Sequence, residues 1–298
     1  MEYRLSKQEL HNDLLYDALF ALQKSLASLD ISLYVVGATA RDIIMYIFHE
    51  DEPKRRTRDL DVAIAIPNWE MYDRVREVLL GNHFKKFPAK QRFVYIGIND
   101  NNDYEVDIVP FGGVEENELI KWRPEGVPVM SVKCFKDVLS HAIRVRINNS
   151  FDVNIAPLCG QFLIKFDAWI DRHDRESKDA SDMLFLLGKY YEVMILSSVP
   201  PDEVDFDNDP TSDFLISGAQ WIACDLKSML TSEHLQYYIN VINQELFDDS
   251  ESKLIGQFVH YINDESEDVV DIVKKIWRNI QNIFQQELDR RNDEDREV

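Results

Sequence analysis

The chain of 298 residues is long enough for two domains and a substantial core, with 45% hydrophobic and 29% charged residues as in ordinary globular proteins. Its net charge of −21 argues against general attraction to nucleic acid, yet the excess is uneven: residues 201–298 carry 23 Asp and Glu against 8 Lys and Arg, and the first two hundred are only mildly acidic. No apolar run approaches the roughly 18–20 residues that span a bilayer, the start MEYRLSKQEL lacks a secretory profile, and three scattered cysteines suggest neither zinc nor disulfides. A cytoplasmic address without a membrane role is expected.

Residues 7–28 carry leucines at helical spacing and predict an amphipathic helix. A short apolar strand follows at 33–37, then a helix over about 39–49. The basic loop EDEPKRRTR leads into LDVAIAI, a strand at 60–66 that Pro67 stops. NWEMYDRVREVLL predicts a helix of about three turns. Two strands are expected at 92–98 and 104–110, separated by the Asn/Asp turn NDNND and closed by PFGG. From about 155 helical periodicity dominates, over 159–173, 179–193, 215–230, 233–246, 253–263 and 267–290. The reading is an α/β domain over 1–155, a small mixed sheet flanked by helices, followed by an all-helical domain over 156–298.

Four pieces point to chemistry. The strand LYVVG opens into a helix at Gly37, where a glycine admits close approach of backbone or phosphate and a helix start offers N–H groups to an anion. Asp59 and Asp61 stand two apart at the beginning of a strand, so their side chains share a face and repel. Turn formation or capping would account for Asp59, but it suits Asp61 poorly. Asp107 is alone in the apolar strand YEVDIVPF, where a buried hydrogen-bonded carboxylate is the plain alternative. Three carboxylates on neighbouring strands are also what Mg²⁺ or Mn²⁺ takes, hard cations that keep positions open for substrate phosphates. The metal would then supply the positive charge that the carboxylates need. Lys165 lies on a largely apolar helical face, where it either snorkels or serves a triphosphate, and Lys178, Asp179 and Asp182 open the next helix.

Taken together, Gly37-Ala38, Thr57-Arg58-Asp59-Leu60-Asp61, Asp107, Lys165 and Lys178-Asp179-Ala180-Ser181-Asp182 resemble the nucleotidyltransferase superfamily that includes DNA polymerase beta. They are closer still to AbiEii-type nucleotidyltransferases, the toxin components of type IV toxin–antitoxin systems. The resemblance covers roughly residues 30–195. Two departures stand out: Ala38 where many members carry Ser or Gly, and a longer gap from Gly37 to Asp59 made by the loop 50–58. The resemblance implies Mg²⁺-dependent transfer of an NMP unit from an NTP to an acceptor hydroxyl. Asp59, Asp61 and Asp107 would be metal ligands and catalytic, and Gly37, Ala38, Arg41 and Thr57 would contact the nucleotide. Lys165 would neutralise the leaving phosphates, with Asp182 orienting it or the nucleoside. It further implies tRNA as acceptor and a cognate antitoxin as partner. Transfer to a small molecule or a protein, and a non-catalytic nucleotide-binding regulator, are the alternatives. No Walker loop, nucleophile elbow, zincin or dinucleotide motif competes with this reading.

Overall fold

The computed structural model describes residues 3–49, 59–97, 103–204, 210–247, 251–262 and 268–297. The chain divides into two compact units, Met1–Pro157 and Leu158–Val298.

In the first unit, helix α1 (Asp13–Ala27) starts where the Asn12 side chain accepts a hydrogen bond from the Leu15 N–H. It buries Leu15, Ala18, Leu19, Leu22 and Leu26 on one stripe. Strand β2 (Leu33–Val36) runs straight into α2 (Gly37–His49). Strand β3 (Asp59–Ile66) buries Leu60, Val62, Ile64 and Ile66, the alternation that fixes its register. Helix α3 (Trp69–Leu80) is capped by Asn68. Strands β5 (Arg92–Ile96) and β6 (Asp103–Gly112) follow the short β4 (Phe84–Lys86).

The expected mixed α/β class is found, with a wider sheet than the sequence suggested. Together with β1 (Tyr3–Leu5), β9 (Ile143–Ile147) and β10 (Phe151–Ile155), these strands form an eight-stranded mixed sheet in the order β1-β9-β10-β2-β3-β6-β5-β4. The hairpin of β9 and β10 is an addition to the sequence reading, which gave no elements between PFGG and the helical region. Its signal was present: IRVRI and FDVNI alternate around Asn148 and Asn149, both of them left-handed as a tight hairpin turn requires. A small separate pair, β7 (Leu119–Lys121) with β8 (Val129–Ser131), and the short helix α4 (Phe135–Leu139) complete this unit.

The second unit is helical among its described residues: α5 (Leu158–Arg172), α6 (Lys178–Ile195), α7 (Pro210–Met229), α8 (Ser232–Phe247), α9 (Lys253–Ile262) and α10 (Asp268–Glu297). Each coincides with an expected helix, with α7 beginning five residues earlier and α10 ending seven residues later than expected. Phe162, Phe166, Trp169, Trp221, Tyr238, Phe258, Trp277 and Phe284 fill its core. Helices α6 and α7 approach closely at Gly218, where a Cβ would lie 2.0 Å from the Leu187 carbonyl oxygen. No described helix is long and apolar enough to cross a membrane.

Helix α10 is tied to the end of α7 by Arg291, whose guanidinium donates to the carbonyls of Lys227 at 2.7 Å and Leu230 at 2.9 Å. Those carbonyls are the ones a helix terminus leaves unsatisfied. Glu287 holds Arg291 in place and accepts from Arg290 as well. Hydrogen bonds from Arg290 first, and from Arg291, hold its carboxyl at about 2 against an ordinary 4.5. A carboxyl depressed by folding adds stability above its unfolded value and loses it as pH falls toward its folded value. Thermal stability should therefore fall between about pH 4.5 and pH 2, and Glu287→Gln should flatten that acid limb. An unchanged acid limb in the variant would show that this network contributes nothing.

Candidate active site

The pairing of strands assembles the first cluster. β3 and β6 run parallel with Asp61 opposite Asp107 and Asp59 opposite Glu105. β5 pairs antiparallel with β6 so that Arg92 stands opposite Asp107. Residues directly opposite on neighbouring strands project to one face. One row across the sheet is therefore Asp61, Asp107, Arg92, and the adjacent row carries Asp59 and Glu105. Two carboxylates about 5 Å apart repel by about 3 kcal/mol at an effective dielectric near 20, so this face needs a cation.

Arg92 is that cation for β6. Its Nε and one terminal nitrogen donate to the two oxygens of Asp107, both at 2.7 Å, and the other terminal nitrogen donates to Glu105 at 2.6 Å. The hydrogen bonds with Asp107 raise the guanidinium pKa further, aided by the charges of Asp107, Glu105 and Asp59. The plain alternative for Asp107, a hydrogen-bonded carboxylate within a strand, describes what is seen. Arg92 and Glu105 were missed as site residues. Strand alternation could have found Glu105, two positions from Asp107, but Arg92 reads in sequence as one more cation of a basic surface run.

The second element of this cluster is the β2–α2 junction. β2 pairs antiparallel with β3, with Val36 opposite Asp61. Gly37 has φ of +67°, and a Cβ there would lie 2.4 Å from Oδ2 of Asp61. Glycine is required twice over, by the left-handed backbone and by the carboxylate laid against it. The buried Thr39 side chain donates to the Asp59 carbonyl oxygen at 3.4 Å and fastens the start of α2 to the start of β3. Ala38 is half-buried beside Gly37. Arg41 turns to its neighbour Asp42, with hydrogen bonds at 2.9 and 2.7 Å to one oxygen. Burial raises the Asp42 pKa and Arg41 opposes that rise. Thr57 and the rest of the loop 50–58 lie outside the described residues.

The sequence led to the expectation of a metal set made of Asp59, Asp61 and Asp107. Among the described residues no three acidic, histidine or cysteine side chains are grouped as a metal ion requires, and both oxygens of Asp107 accept from Arg92. The residues that fit a hard cation by donor chemistry and by position on one strand face are Asp59 and Asp61, and Mg²⁺ is commonly held by one or two carboxylates together with substrate phosphates.

A second cluster lies in the helical unit. Lys165 on α5 places its ammonium 2.6 Å from Asp182 and 3.6 Å from Asp179, with about a quarter of its side chain exposed. Asp179 is completely buried at the first turn of α6, and both its oxygens accept from Arg172, at 2.7 and 2.8 Å. Asp179 raises the Arg172 pKa, chiefly through these hydrogen bonds. Arg172 was not singled out in the sequence, although it lies two helical turns beyond Lys165 on the same stripe of α5. The structure thus gathers Gly37, Asp59, Asp61 and Asp107 in one unit, and Lys165, Asp179 and Asp182 in the other.

No protein-family model and no curated protein matches the chain. A solved complex of a CCA-adding enzyme with ATP is similar to it at 11% identity and a TM-score of 0.31, covering 94% of this chain and 71% of that one.

Two substitutions probe these clusters. Gly37→Ala should cost about 1–3 kcal/mol through its left-handed backbone and should displace Asp61; an unchanged melting temperature would refute the close approach. Arg172→Leu leaves a buried carboxylate with only Lys165 and should destabilise by about 3–5 kcal/mol, which denaturant unfolding would measure.

Proposed function

We propose that the chain is a nucleotidyltransferase that moves an NMP unit from an NTP to an acceptor hydroxyl and releases pyrophosphate. The observation that carries this reading is the strand register that lays Asp61 against Gly37 and puts Asp59, Asp61 and Asp107 on one sheet face beside a helix start. A glycine turn of this kind admits phosphate oxygens to backbone N–H groups, and the carboxylate pair on β3 would hold Mg²⁺, which supplies charge neutralisation to the triphosphate. Gly37 and Ala38 would border the phosphates. Asp107, kept in one orientation by Arg92, would accept a hydrogen bond from the attacking hydroxyl and aim its oxygen at the α-phosphorus. The motif resemblance assigns Lys165 to charge developing on the leaving phosphates, and within its own unit the ammonium is steadied by Asp182. Arg41 and Thr57 are assigned lesser roles toward the nucleotide.

For the acceptor we favour RNA, with tRNA first, on the motif resemblance to AbiEii-type toxins and on the concentration of the net negative charge in residues 201–298. A cognate antitoxin partner and a cytoplasmic setting belong to the same reading. The grip of Arg92 on Asp107 favours a second reading, a nucleotide-binding regulator without catalysis.

Incubation with each labelled NTP and Mg²⁺, against total RNA, protein and small-molecule fractions of a lysate, tests both. Label should enter RNA, and Asp61→Asn should abolish its incorporation by at least about a hundredfold, as loss of a group that stabilises transition-state charge does. Label in the protein or small-molecule fraction would replace the acceptor. Saturable NTP binding with no transfer to any fraction would leave the regulator.

A further inference from the structure

We infer that Arg92 takes the place of a second divalent cation at this site, so that Asp107 is a guanidinium-held carboxylate and only the Asp59–Asp61 pair binds metal. The inference rests on the nucleotidyl-transfer reading and adds to it a departure in how the carboxylate face is neutralised. Three observations carry it. Arg92 donates to both oxygens of Asp107 in a fork-on-fork geometry at 2.7 Å, the arrangement in which a guanidinium binds a carboxylate most firmly. The same guanidinium reaches Glu105 at 2.6 Å, so its direction is fixed by two carboxylates of β6. And the register is built for it: Arg92 stands directly opposite Asp107 on the neighbouring strand, and its backbone position follows from sheet pairing, not from a mobile loop.

A cation that approached Asp107 would have to displace two charge-assisted hydrogen bonds and would leave a guanidinium beside itself, a like-charge contact. Both terms oppose a metal there. The hydrogen bonds of Arg92 all go to carboxylates of β6, whereas Asp59 and Asp61 belong to β3, the next strand. The guanidinium is also a permanent charge. It neutralises Asp107 whether or not nucleotide is bound, whereas a metal would come and go with the triphosphate.

The test counts ions. Mn²⁺ binding to the full chain is measured by electron paramagnetic resonance and calorimetry, with a saturating NTP analogue that cannot be cleaved between its α- and β-phosphates. The wild type should take about one ion per chain, where a three-carboxylate site takes about two. Arg92→Ala should gain the second ion, and Arg92→Ala with Asp107→Asn should lose it again. Asp107→Asn alone keeps Arg92 and should leave the ion count and affinity unchanged, which holds the inference open to refutation even if Arg92→Ala does not fold. Two ions in the wild type, no gain in Arg92→Ala, or weakened Mn²⁺ binding in Asp107→Asn would each overturn it. Asp61→Asn separates the two levels: Mn²⁺ binding that survives this change unaltered removes the carboxylate-pair site and the reading beneath it, while its loss alongside two ions in the wild type removes the Arg92 inference alone.

Discussion

Carboxylates gathered on one face of a sheet impose the constraint around which the first unit is organised. Parallel pairing of β3 with β6 sets Asp59 beside Glu105 and Asp61 beside Asp107, and such neighbours repel at the spacing of adjacent strands. A fold with this register is stable only if positive charge is supplied on the same face. β5 supplies it through Arg92, which grips Asp107 with two hydrogen bonds and Glu105 with a third. The edge half of the sheet thus serves the centre: without β5 opposite β6, the acid rows would have no internal counter-charge on β6.

The other side of β3 is governed by space. Asp61 packs its carboxylate against a glycine whose backbone is left-handed, so the end of β2, the start of α2 and the start of β3 are fixed relative to one another by one steric requirement. Thr39 adds a hydrogen bond to the Asp59 carbonyl at the same place. A carboxylate here is therefore held by a close backbone approach on one strand and by a guanidinium on another, and these two modes of restraint leave different chemistry open to Asp61 and Asp107.

The helical unit repeats the electrostatic logic with a deeper burial. Asp179 is fully enclosed and keeps its charge because Arg172 binds both oxygens while Lys165 approaches one of them. Lys165 is in turn directed by Asp182. An ammonium bracketed by two carboxylates on the first turns of α6 is held in one direction, unlike a lysine that only extends its stem along an apolar face.

The sequence by itself determined the elements whose signal is local. A β-branched apolar run stopped by Pro67 marked β3, strand-like segments around an Asn/Asp turn marked β5 and β6, helical spacing marked α1, α3 and the six helices of the second unit, and a glycine after a strand marked the β2–α2 junction. It also marked Asp61, Asp107 and Lys165 as misfits, because a charge inside an apolar pattern is visible without coordinates. What fills the space between misfits was decided only by tertiary structure. Arg92 and Arg172 look in sequence like any surface cation, and nothing local says that one meets Asp107 across a strand pair while the other meets a buried Asp179. Register is a long-range property: the same ten residues of β6, slipped by one, would turn Asp107 and Glu105 to the opposite face. That is why the carboxylates could be read from the chain, and their counter-charge could not.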